Sequence, residues 1–328
     1  MLYPLSYEGR HPAYLCADDV PEAAAVEEHD VIKSRRLTIA PMRDADLASV
    51  RRVCNAAFGA AGGNQVDEVD PPDVFSARLF EYRFAADPDG CFVARDADER
   101  IVAALISVAR GTLGWFGPLA TLPSAQKTGA GVALVEACHA SWDRRGVRMR
   151  GLETYPLSDF HVGFYGRLGY RPGWTGVGFE RSISVTDLPD GVEVGGALPD
   201  LSWLYPGLDV RAEAAATLAV GAGTVVTTDD GVALVHVEPT FQRPDTVMVP
   251  FAAAATRAGF DRLIAAAEHL GAAAGRSSAF VRAPGGATGT YDVLTGRGYR
   301  AGHVFVRMKM GELPDYDRGD VCYADNWL

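Results

Sequence analysis

The hydrophobic positions of this chain repeat with two periods, one of about two residues and one of about 3.6 residues, so the pattern predicts strands alternating with helices. Between residues 37 and 186, the shorter period predicts strands at Leu37–Ala40, Cys91–Arg95, Ile101–Ala109, Leu113–Leu122, Val147–Thr154 and Phe179–Val185. The longer period predicts helices from Asp44 to about Phe58, from about Pro72 to Ala85, over Val132–Arg145, and around Tyr165. Asp44 and Ser158 are placed to cap the first and the last of these helices. This region therefore has the pattern of an α/β fold.

Much of this order returns between residues 187 and 312. After a turn-rich stretch, the pattern predicts a hairpin around Asp229-Asp230-Gly231, then a long alanine-rich helix, a strand, a short helix and a final strand. The bounds of these elements are Thr224–Thr228, Val232–Glu238, Thr256–Ala274, Ser278–Arg282, Thr290–Thr295 and His303–Met310. The repeated order indicates an internal duplication.

The duplication can be stated as an alignment of residues. Matching Gly169 with Gly298 places Leu294 at the position of Tyr165. Matching Pro123 with Pro250 sets Gln126 beside Ala253, Gly129 beside Thr256, and Gly131 beside Ala258. The sequence thus predicts an N-terminal extension over residues 1–36, a complete domain over 37–186, a degenerate copy over 187–312, and a C-terminal tail over 313–328.

The stretch from Gly117 to Val135 is the most informative for function. It combines a short apolar strand, Pro123, a compact polar loop with Gly129 and Gly131, and an amphipathic helix. Main-chain N–H groups at a helix N-terminus lack partners within the helix and can bind phosphate oxygens. The two glycines allow close approach of the main chain, because they carry no Cβ. The stretch matches neither the P-loop of nucleotide hydrolases nor the dinucleotide-binding pattern with its acidic residue.

Two motifs in the first domain resemble those of the GCN5-related N-acetyltransferase (GNAT) superfamily. The spacing of Pro123 and Gln126-x-x-Gly129-x-Gly131 is similar to its acetyl-CoA pyrophosphate loop, and Phe164-Tyr165-Gly166-Arg167-Leu168-Gly169-Tyr170 is similar to its second hallmark. The resemblance covers roughly residues 37–186. It implies two tandem GNAT-like folds with mixed sheets, of which only the first keeps a CoA site.

The resemblance also implies the co-substrate and the site residues. Acetyl-CoA would transfer its acetyl group directly to an amine in a ternary complex. The residues expected to bind it are Leu119, Thr121, Leu122, Gln126, Lys127, Thr128, Gly129, Ala130 and Gly131. An N–H group near Leu122 is expected to polarise the thioester carbonyl. Tyr165 is the expected general acid, because a phenol with an ordinary pKa near 10 is protonated at neutral pH and can donate to a departing thiolate.

The base that takes the proton of the amine is less sharply defined. Glu153 lies in the strand beside the thioester and is the predicted general base, either directly or through a water, while a purely structural role stays open. Asp159, His161 and a chain of waters are alternatives. The loop carboxylates that can attract a cationic acceptor, or simply form a solvated surface, are Asp67, Glu68, Asp70 and Asp73. Glu81 and Tyr82 are further candidates for the acceptor site.

Length and charge restrict the remaining possibilities. The 328 residues suffice for two domains, and a net charge of −11 argues against nucleic acid or an anionic membrane as partner. The cysteines are odd in number and lack metal-ligand spacing, which predicts reduced thiols and no bound metal: Cys16, Cys54, Cys91, Cys138 and Cys322. No stretch has the length of a membrane span, so we expect a cytoplasmic protein. We expect it to be a monomer or a homodimer.

The leading hypothesis is an N-acetyltransferase for the amine of a small molecule or a peptide. One alternative is a non-catalytic acyl-CoA-binding module that regulates or binds a partner. Another is the same fold acting with a different acyl group or on a hydroxyl acceptor.

Overall fold

A mixed sheet runs through the protein with helices on both of its faces, which is the α/β architecture that the sequence predicts. The computed structural model describes residues 37–60, 64–155, 159–238, 240, 243–311 and 318–326, which belong to one compact unit. The predicted extension over residues 1–36, the predicted cap Ser158 and part of the predicted tail lie outside the described residues.

The strands are β1 (Thr38–Pro41), β2 (Phe92–Arg95), β3 (Ile101–Arg110), β4 (Leu113–Thr121), β5 (Met149–Thr154), β6 (Arg171–Ser182), β7 (Glu193–Val194), β8 (Gly223–Thr228), β9 (Gly231–His236), β10 (Thr246–Ala254), β11 (Ser278–Pro284), β12 (Arg300–Met310) and β13 (Cys322–Asp325). The helices are α1 (Leu47–Gly59), α2 (Ala77–Ala86), α3 (Ala130–Arg144), α4 (Asp159–Arg167), α5 (Arg211–Ala219), α6 (Arg257–Ala273) and α7 (Thr288–Gly296). The strand order in the sheet is β1-β2-β3-β4-β5-β12-β6-β11-β10-β9-β8-β7, and β13 is added on β10.

The order of elements repeats once along the chain. The run β2-β3-β4-α3-β5-α4-β6 is followed by β8-β9-β10-α6-β11-α7-β12, and we call the elements up to β6 the first half and those from β7 the second half. The strands β4 and β5 are parallel, as are β10 and β11, while the other pairs of described strands are antiparallel.

The two halves exchange their last long strands. The second-half strand β12 lies between β5 and β6 of the first half, and β6 lies between β12 and β11 of the second half. Each half therefore completes the sheet of the other. Separating them would break the main-chain hydrogen bonds along two strands, so the halves support each other's structure.

In the first half, alternating side chains of the sheet face two different helix layers. Val93 packs under α1 and α2, whereas its neighbours Phe92 and Ala94 pack under α3 and α4. The predicted core positions Val50, Val53 and Cys54 of α1 are fully buried. This arrangement follows from the opposite directions of successive side chains in a strand.

Several predicted elements need correction. The strand expected at Phe179–Val185 begins much earlier, at Arg171, although Pro172 and Gly173 disfavour a strand. The early part of β6 pairs only with β12, because β11 reaches no further than Gly176. Pro172 therefore lies where one edge of the strand is open, which is a setting in which strands tolerate proline.

Four elements of the second half are absent from the prediction: β7, α5, β10 and β13. The apolar run of β10 shows no alternation because all of its residues are buried, and Pro250 lies at a bulge opposite β9. The strand β13 follows what the sequence predicts as the final strand, so that prediction is wrong.

The described helices are all too short or too polar to span a bilayer. Among the residues that the structure describes, there is no group of three or more His, Cys, Asp or Glu side chains able to hold a metal ion. Cys54, Cys91, Cys138 and Cys322 are buried and free, and Cys16 lies outside the described residues.

Candidate active site

The candidate site begins where β4 separates from β5. The two strands pair from Leu113 with Met149 to Phe116 with Leu152, and their pairing ends there. A bulge at Gly117-Pro118 interrupts the register of β4 with β3 at this same point. Bulges bend a strand, so this one directs the rest of β4 away from β5 and opens a gap in the sheet.

Main-chain groups of β4 line this gap. The N–H of Leu122 donates to the carbonyl oxygen of Val102 in β3, at 2.9 Å. In an antiparallel pair the main-chain groups of successive residues face opposite sides, so those of Leu119 and Thr121 face the gap. Of the three predicted strand residues, Leu119 and Thr121 are therefore placed to pair with a ligand, and the N–H of Leu122 is already used.

The loop after β4 presents a series of main-chain donors. Within the described chain, the N–H groups from Lys127 to Val132 donate to no acceptor, and the helical ladder starts with Ala133 donating to Gly129. Lys127 and Gly129 both have left-handed backbones, with φ of 63° and 86°. No described atom lies within 4 Å of the position that a Cβ at Gly129 would take. The loop therefore forms an open cradle for an anion at the start of α3.

The side chains of this loop have two different roles. Thr128 donates its hydroxyl to the carbonyl oxygen of Ala125, at 2.7 Å, and so stabilises the loop itself. Gln126 and Lys127 are exposed beside the cradle. Gly131 lies against α4, and a Cβ there would be at an ordinary contact distance of 3.4 Å from the ring of Phe164.

Tyr165 lies in α4 at the position where β4 and β5 separate. Its ring packs 5.8 Å from that of Phe116, the last residue of β4 that pairs with β5. The residue is only 8% exposed, and its hydroxyl forms no hydrogen bond with any described residue. Burial of the side chain raises the pKa of Tyr165 above its ordinary value.

Residues 87–172, which include the gap, the cradle and Tyr165, match the family model of the acetyltransferase (GNAT) domain. They belong to the GNAT superfamily. This confirms the predicted resemblance, and acyl transfer from acyl-CoA is the chemistry that the family and its fold support.

Solved structures extend the likeness of fold to most of the chain. A protein from Pyrococcus horikoshii, provisionally named an acetyltransferase, aligns with 15% identity and a TM-score of 0.66, covering 91% of this chain and 96% of its own. A GCN5-related N-acetyltransferase from Sphaerobacter thermophilus aligns with 14% identity and a TM-score of 0.55, covering 86% and 98%. A glucosamine N-acetyltransferase region of a fungal β-N-acetylglucosaminidase aligns with 15% identity and a TM-score of 0.53, covering 86% and 39%. No curated protein matches the chain.

The predicted base Glu153, in β5 of the first half, is buried in an ion cluster. Its side chain is completely buried, and one carboxylate oxygen accepts from Nε of Arg307 at 2.7 Å. The other oxygen accepts from Arg282. Both arginines come from the second half, from β12 and β11. Glu153 thus joins the two halves, and it is neither a solvated carboxylate nor one with a free oxygen beside the gap.

No local pattern in the sequence predicts this ion cluster. Arg282 and Arg307 are separated from Glu153 by more than a hundred residues, and each lies in a strand that becomes central only through the exchange. The available signal is the occurrence of an arginine at an inward position of a largely apolar strand, because such a charge requires a buried partner.

The other predicted candidates for proton transfer and acceptor binding lie on α4 and α2. His161 is half-buried in the first turn of α4, and burial lowers its pKa. The side chain of Asp159 lies outside what the structure describes. Tyr82 is buried and donates to Glu213 of α5 at 3.3 Å, so it packs between helices, whereas Glu81 is exposed.

The acidic loop before α2 contacts the turn that precedes the cradle. Glu68 accepts from the N–H of Ser124 at 2.7 Å and from its hydroxyl at 2.6 Å. Asp73 is bound by Arg51 at 2.5 Å, and Asp67 accepts from the N–H of Val69. These acids are therefore partly used to position the loop, while Asp70 is exposed.

The second half has a corresponding gap between β10 and β11, but its own chain fills it. Pairing of β10 with β11 ends at Val249 with Val281, and β13 then pairs with β10 from Phe251 to Ala254. Tyr323 of β13 is fully buried, and its N–H and carbonyl both hydrogen-bond the hydroxyl of Thr290. The strand β13 thus lies at the place where, in the first half, the main-chain groups of β4 face the gap.

The start of α6 is also satisfied internally. The hydroxyl of Thr256 caps the helix by accepting from the N–H of Gly259 at 3.0 Å. The carboxylate of Asp230 accepts from both the N–H and the hydroxyl of Thr256. An anion is thus already present at this helix N-terminus, supplied by the protein itself.

The predicted alignment of the halves is partly wrong. Thr256 and Gly129 both precede the equivalent helix, as predicted, but Pro250 lies inside β10 whereas Pro123 begins the turn after β4. The second half therefore lacks the loop. The other match holds: Tyr170 donates its N–H to Tyr165, and Tyr299 donates its N–H to Leu294.

Proposed function

We propose that this protein is an N-acetyltransferase that moves an acetyl group from acetyl-CoA to the amine of a small molecule or a peptide, by direct transfer in a ternary complex. The observation that carries the proposal is the run of N–H groups from Lys127 to Val132 that find no acceptor among the described residues, beside the gap where Tyr165 packs against Phe116. The GNAT domain match covers both features.

The residues of the gap suit acetyl-CoA. The cradle from Lys127 to Val132, with the Lys127 charge beside it, would hold the pyrophosphate, and the main chains of Leu119 and Thr121 would pair with the amides of the pantetheine arm. When bound, acetyl-CoA supplies an electrophilic thioester carbonyl and a thiolate leaving group. An N–H of β4 that faces the gap, Leu119 or Thr121, can polarise that carbonyl.

Tyr165 is the proposed general acid. Its hydroxyl has no partner among the described residues to compete for its proton, and its raised pKa keeps it protonated at neutral pH. A phenol in this state can donate to the sulfur as the carbon–sulfur bond breaks.

For Glu153 we propose a positioning role. Its oxygens are both bound by guanidinium groups, so taking up a proton would break an ion pair in a buried cluster. Held in this way, Glu153 fixes the end of β5 that forms one wall of the gap. The proton of the amine then leaves through water or through His161, whose lowered pKa keeps it neutral and able to accept.

We further propose a cytoplasmic protein that acts as a monomer or homodimer and uses neither nucleic acid nor a membrane. The net charge of −11 and the free buried thiols support this environment. The exposed Asp70 and the other loop acids support an acceptor that carries a cationic amine.

The experiment is incubation with acetyl-CoA and a panel of amines, following free thiol. The panel includes polyamines, peptide N-termini and glucosamine, because one structural neighbour is a glucosamine N-acetyltransferase region. We expect amine-dependent thiol release. Calorimetric binding of acetyl-CoA without release across the panel would instead identify a binding module, and release only with hydroxyl acceptors or longer acyl groups would change the substrate class.

A further inference from the structure

The end of strand β13 contacts two buried arginines from different parts of the sheet. The carboxylate of Asp325 accepts from Nη1 of Arg110 in β3, and its main-chain carbonyl oxygen accepts from Nη2 of Arg307 in β12. Asp325 and Arg110 are 0% exposed, and Arg307 is 2% exposed. Burying these charges costs free energy unless each one is paired, so the positions of the three residues depend on one another.

Arg307 extends this contact to the gap of the first half. While its Nη2 donates to Asp325, its Nε donates to the carboxylate of Glu153 at 2.7 Å. A guanidinium is planar and holds its donors in a fixed geometry. The position of Arg307 on Asp325 therefore determines its position on Glu153, at the end of β5 that forms one wall of the gap.

The sheet leaves room for this arrangement at Gly176 of β6. A Cβ at this position would lie 2.5 Å from Oε1 of Glu153 and 3.5 Å from Nε of Arg307. Gly176 pairs with Phe305 on one side and with Pro284 on the other, so it lies inside the sheet. A glycine inside a strand often marks such a close approach. Glu153 thus fits closely against the main chain, and a displacement of Arg307 would move it.

Arg110 holds the other side of Asp325. It binds Asp325 with one guanidinium nitrogen and Glu213 of α5 with the other two. Its guanidinium carbon lies 4.0 Å from the ring centre of Trp115, a residue of β4 that pairs with Gly151 of β5. Arg110 is therefore fixed by its own contacts, next to the point where β4 and β5 separate, and gives the end of β13 a rigid anchor.

We propose that Asp325 is a positioning residue for acetyl transfer: from the filled gap of the second half, it holds Arg307 on Glu153 and so fixes the end of β5 at the open gap of the first half. This inference rests on the proposed function. Because Asp325 acts through Arg307 and Glu153, its loss changes the rate of transfer and leaves the affinity for acetyl-CoA as it is. The strand that fills one gap thus sets the geometry of the other.

The test is a double-mutant cycle on kcat. Asp325→Ala is expected to lower kcat about tenfold, because a displaced wall of the gap disturbs the alignment of the reacting groups, while the calorimetric affinity for acetyl-CoA changes less than about twofold. In the Glu153→Gln background, the same change should lower kcat less than about twofold further, since Arg307 no longer holds a carboxylate there. Asp325→Asn keeps an oxygen that can accept from Arg110, and it should restore kcat to within about threefold of wild type.

Thr290→Val is the matched control. The hydroxyl of Thr290 holds the main chain of Tyr323, so this variant weakens β13 two residues before Asp325 and leaves the contacts of Arg307 in place. It should lower the stability in urea without changing kcat. An equal loss of kcat in Thr290→Val, additive losses in the double variant, or full activity of Asp325→Ala would each overturn the inference. If Asp325→Ala does not fold, Asp325→Asn takes its place in the cycle, with a threefold loss expected.

Hydrogen exchange separates this inference from the proposed function. If the wild type transfers no acetyl group, the proposed function fails, and exchange of the main-chain N–H groups at the end of β5 still decides the role of Asp325. Exchange at residues 151–154, taken relative to residues 103–106 of β3, should be about tenfold faster in Asp325→Ala and unchanged in Thr290→Val. Equal relative exchange in both variants would show that Asp325 does not position this strand.

Discussion

The gaps of the two halves begin from the same strand geometry and differ in what occupies them. Between β4 and β5 the main chain is open, and the cradle from Lys127 to Val132 has no acceptor in the described chain. Between β10 and β11 the chain supplies β13 in the gap and the carboxylate of Asp230 at the helix start. In the second half, a strand and a carboxylate of the protein thus occupy the places that are open in the first half.

This difference shows that the main-chain groups around a gap in a sheet need partners. Open strand edges and helix N-termini leave main-chain groups that must find partners, either water, a ligand or the protein itself. In the first half these groups find no partner among the described residues, and Gly129 keeps the space beside them open. In the second half, Thr256 and Asp230 satisfy the helix, and the shortened connection removes the loop.

The most direct way to break this comparison is to give the first cradle its own carboxylate. Gly129→Asp should weaken acetyl-CoA binding on the order of 1000-fold, because it adds a negative charge where we propose that the pyrophosphate binds and strains a residue with φ of 86°. Calorimetry measures the affinity. Gly298→Asp is the matched control, with φ of 84°, open space around its Cβ and no cradle. Unchanged affinity in Gly129→Asp would remove the phosphate assignment.

The second test concerns the residue that the halves do not share. Tyr165→Phe should lower kcat about 100-fold, the size of a lost general acid, while the affinity for acetyl-CoA stays the same. Tyr170→Phe removes a neighbouring phenol that hydrogen-bonds His139 at 2.8 Å, outside the gap, and should change kcat by no more than a few-fold. Full turnover in Tyr165→Phe would assign the proton to another group.

These results separate what local sequence can predict from what it cannot. The cradle and Tyr165 lie within continuous stretches whose glycines, polar residues and spacing have direct meaning for the backbone. Leu294 at the position of Tyr165 was also predictable, since Gly169 and Gly298 both end their helices with left-handed backbones. Such features depend on neighbours in sequence.

The remaining features depend on residues far apart in the chain. The burial of Glu153 between Arg282 and Arg307 exists only because β12 inserts beside β5. A short strand such as β13 has no signal of its own, and its place is determined by the gap that it fills. Pro172 and Pro250 argue locally against strands, and only the open edge and the bulge around them explain why strands form.

The third test removes the internal anion of the second half. Asp230→Asn should lower the free energy of unfolding by about 1 to 2 kcal/mol, because the charged acceptor of the Thr256 N–H and hydroxyl is lost. Urea unfolding measures this change. Affinity for acetyl-CoA should stay the same, with one molecule bound per chain. Asp229→Asn, at a carboxylate whose side chain is 81% exposed, is the control and should change stability by less than about 0.5 kcal/mol. A second bound acetyl-CoA in wild type would show that the filled gap still binds ligand.

The smallest expected effect concerns kcat, which should not change with pH between about 7 and 10 through titration of Tyr165. Burial disfavours the charged phenolate, so the pKa of Tyr165 lies above its ordinary value near 10, and the residue stays an acid throughout the range from neutral to about pH 10. The raised pKa of Tyr165 also makes stability depend on pH. The contribution of this residue is complete below about pH 10 and is lost as the pH rises above that value, because the unfolded chain gives up this proton first. The measurement is kcat from pH 7 to 10 with a saturating, neutral acceptor. A decline with a midpoint near pH 8 that Tyr165→Phe abolishes would mean that the hydroxyl titrates in a polar environment, and the contrast with the apolar Leu294 of the second half would then be one of charge as well as of proton donation.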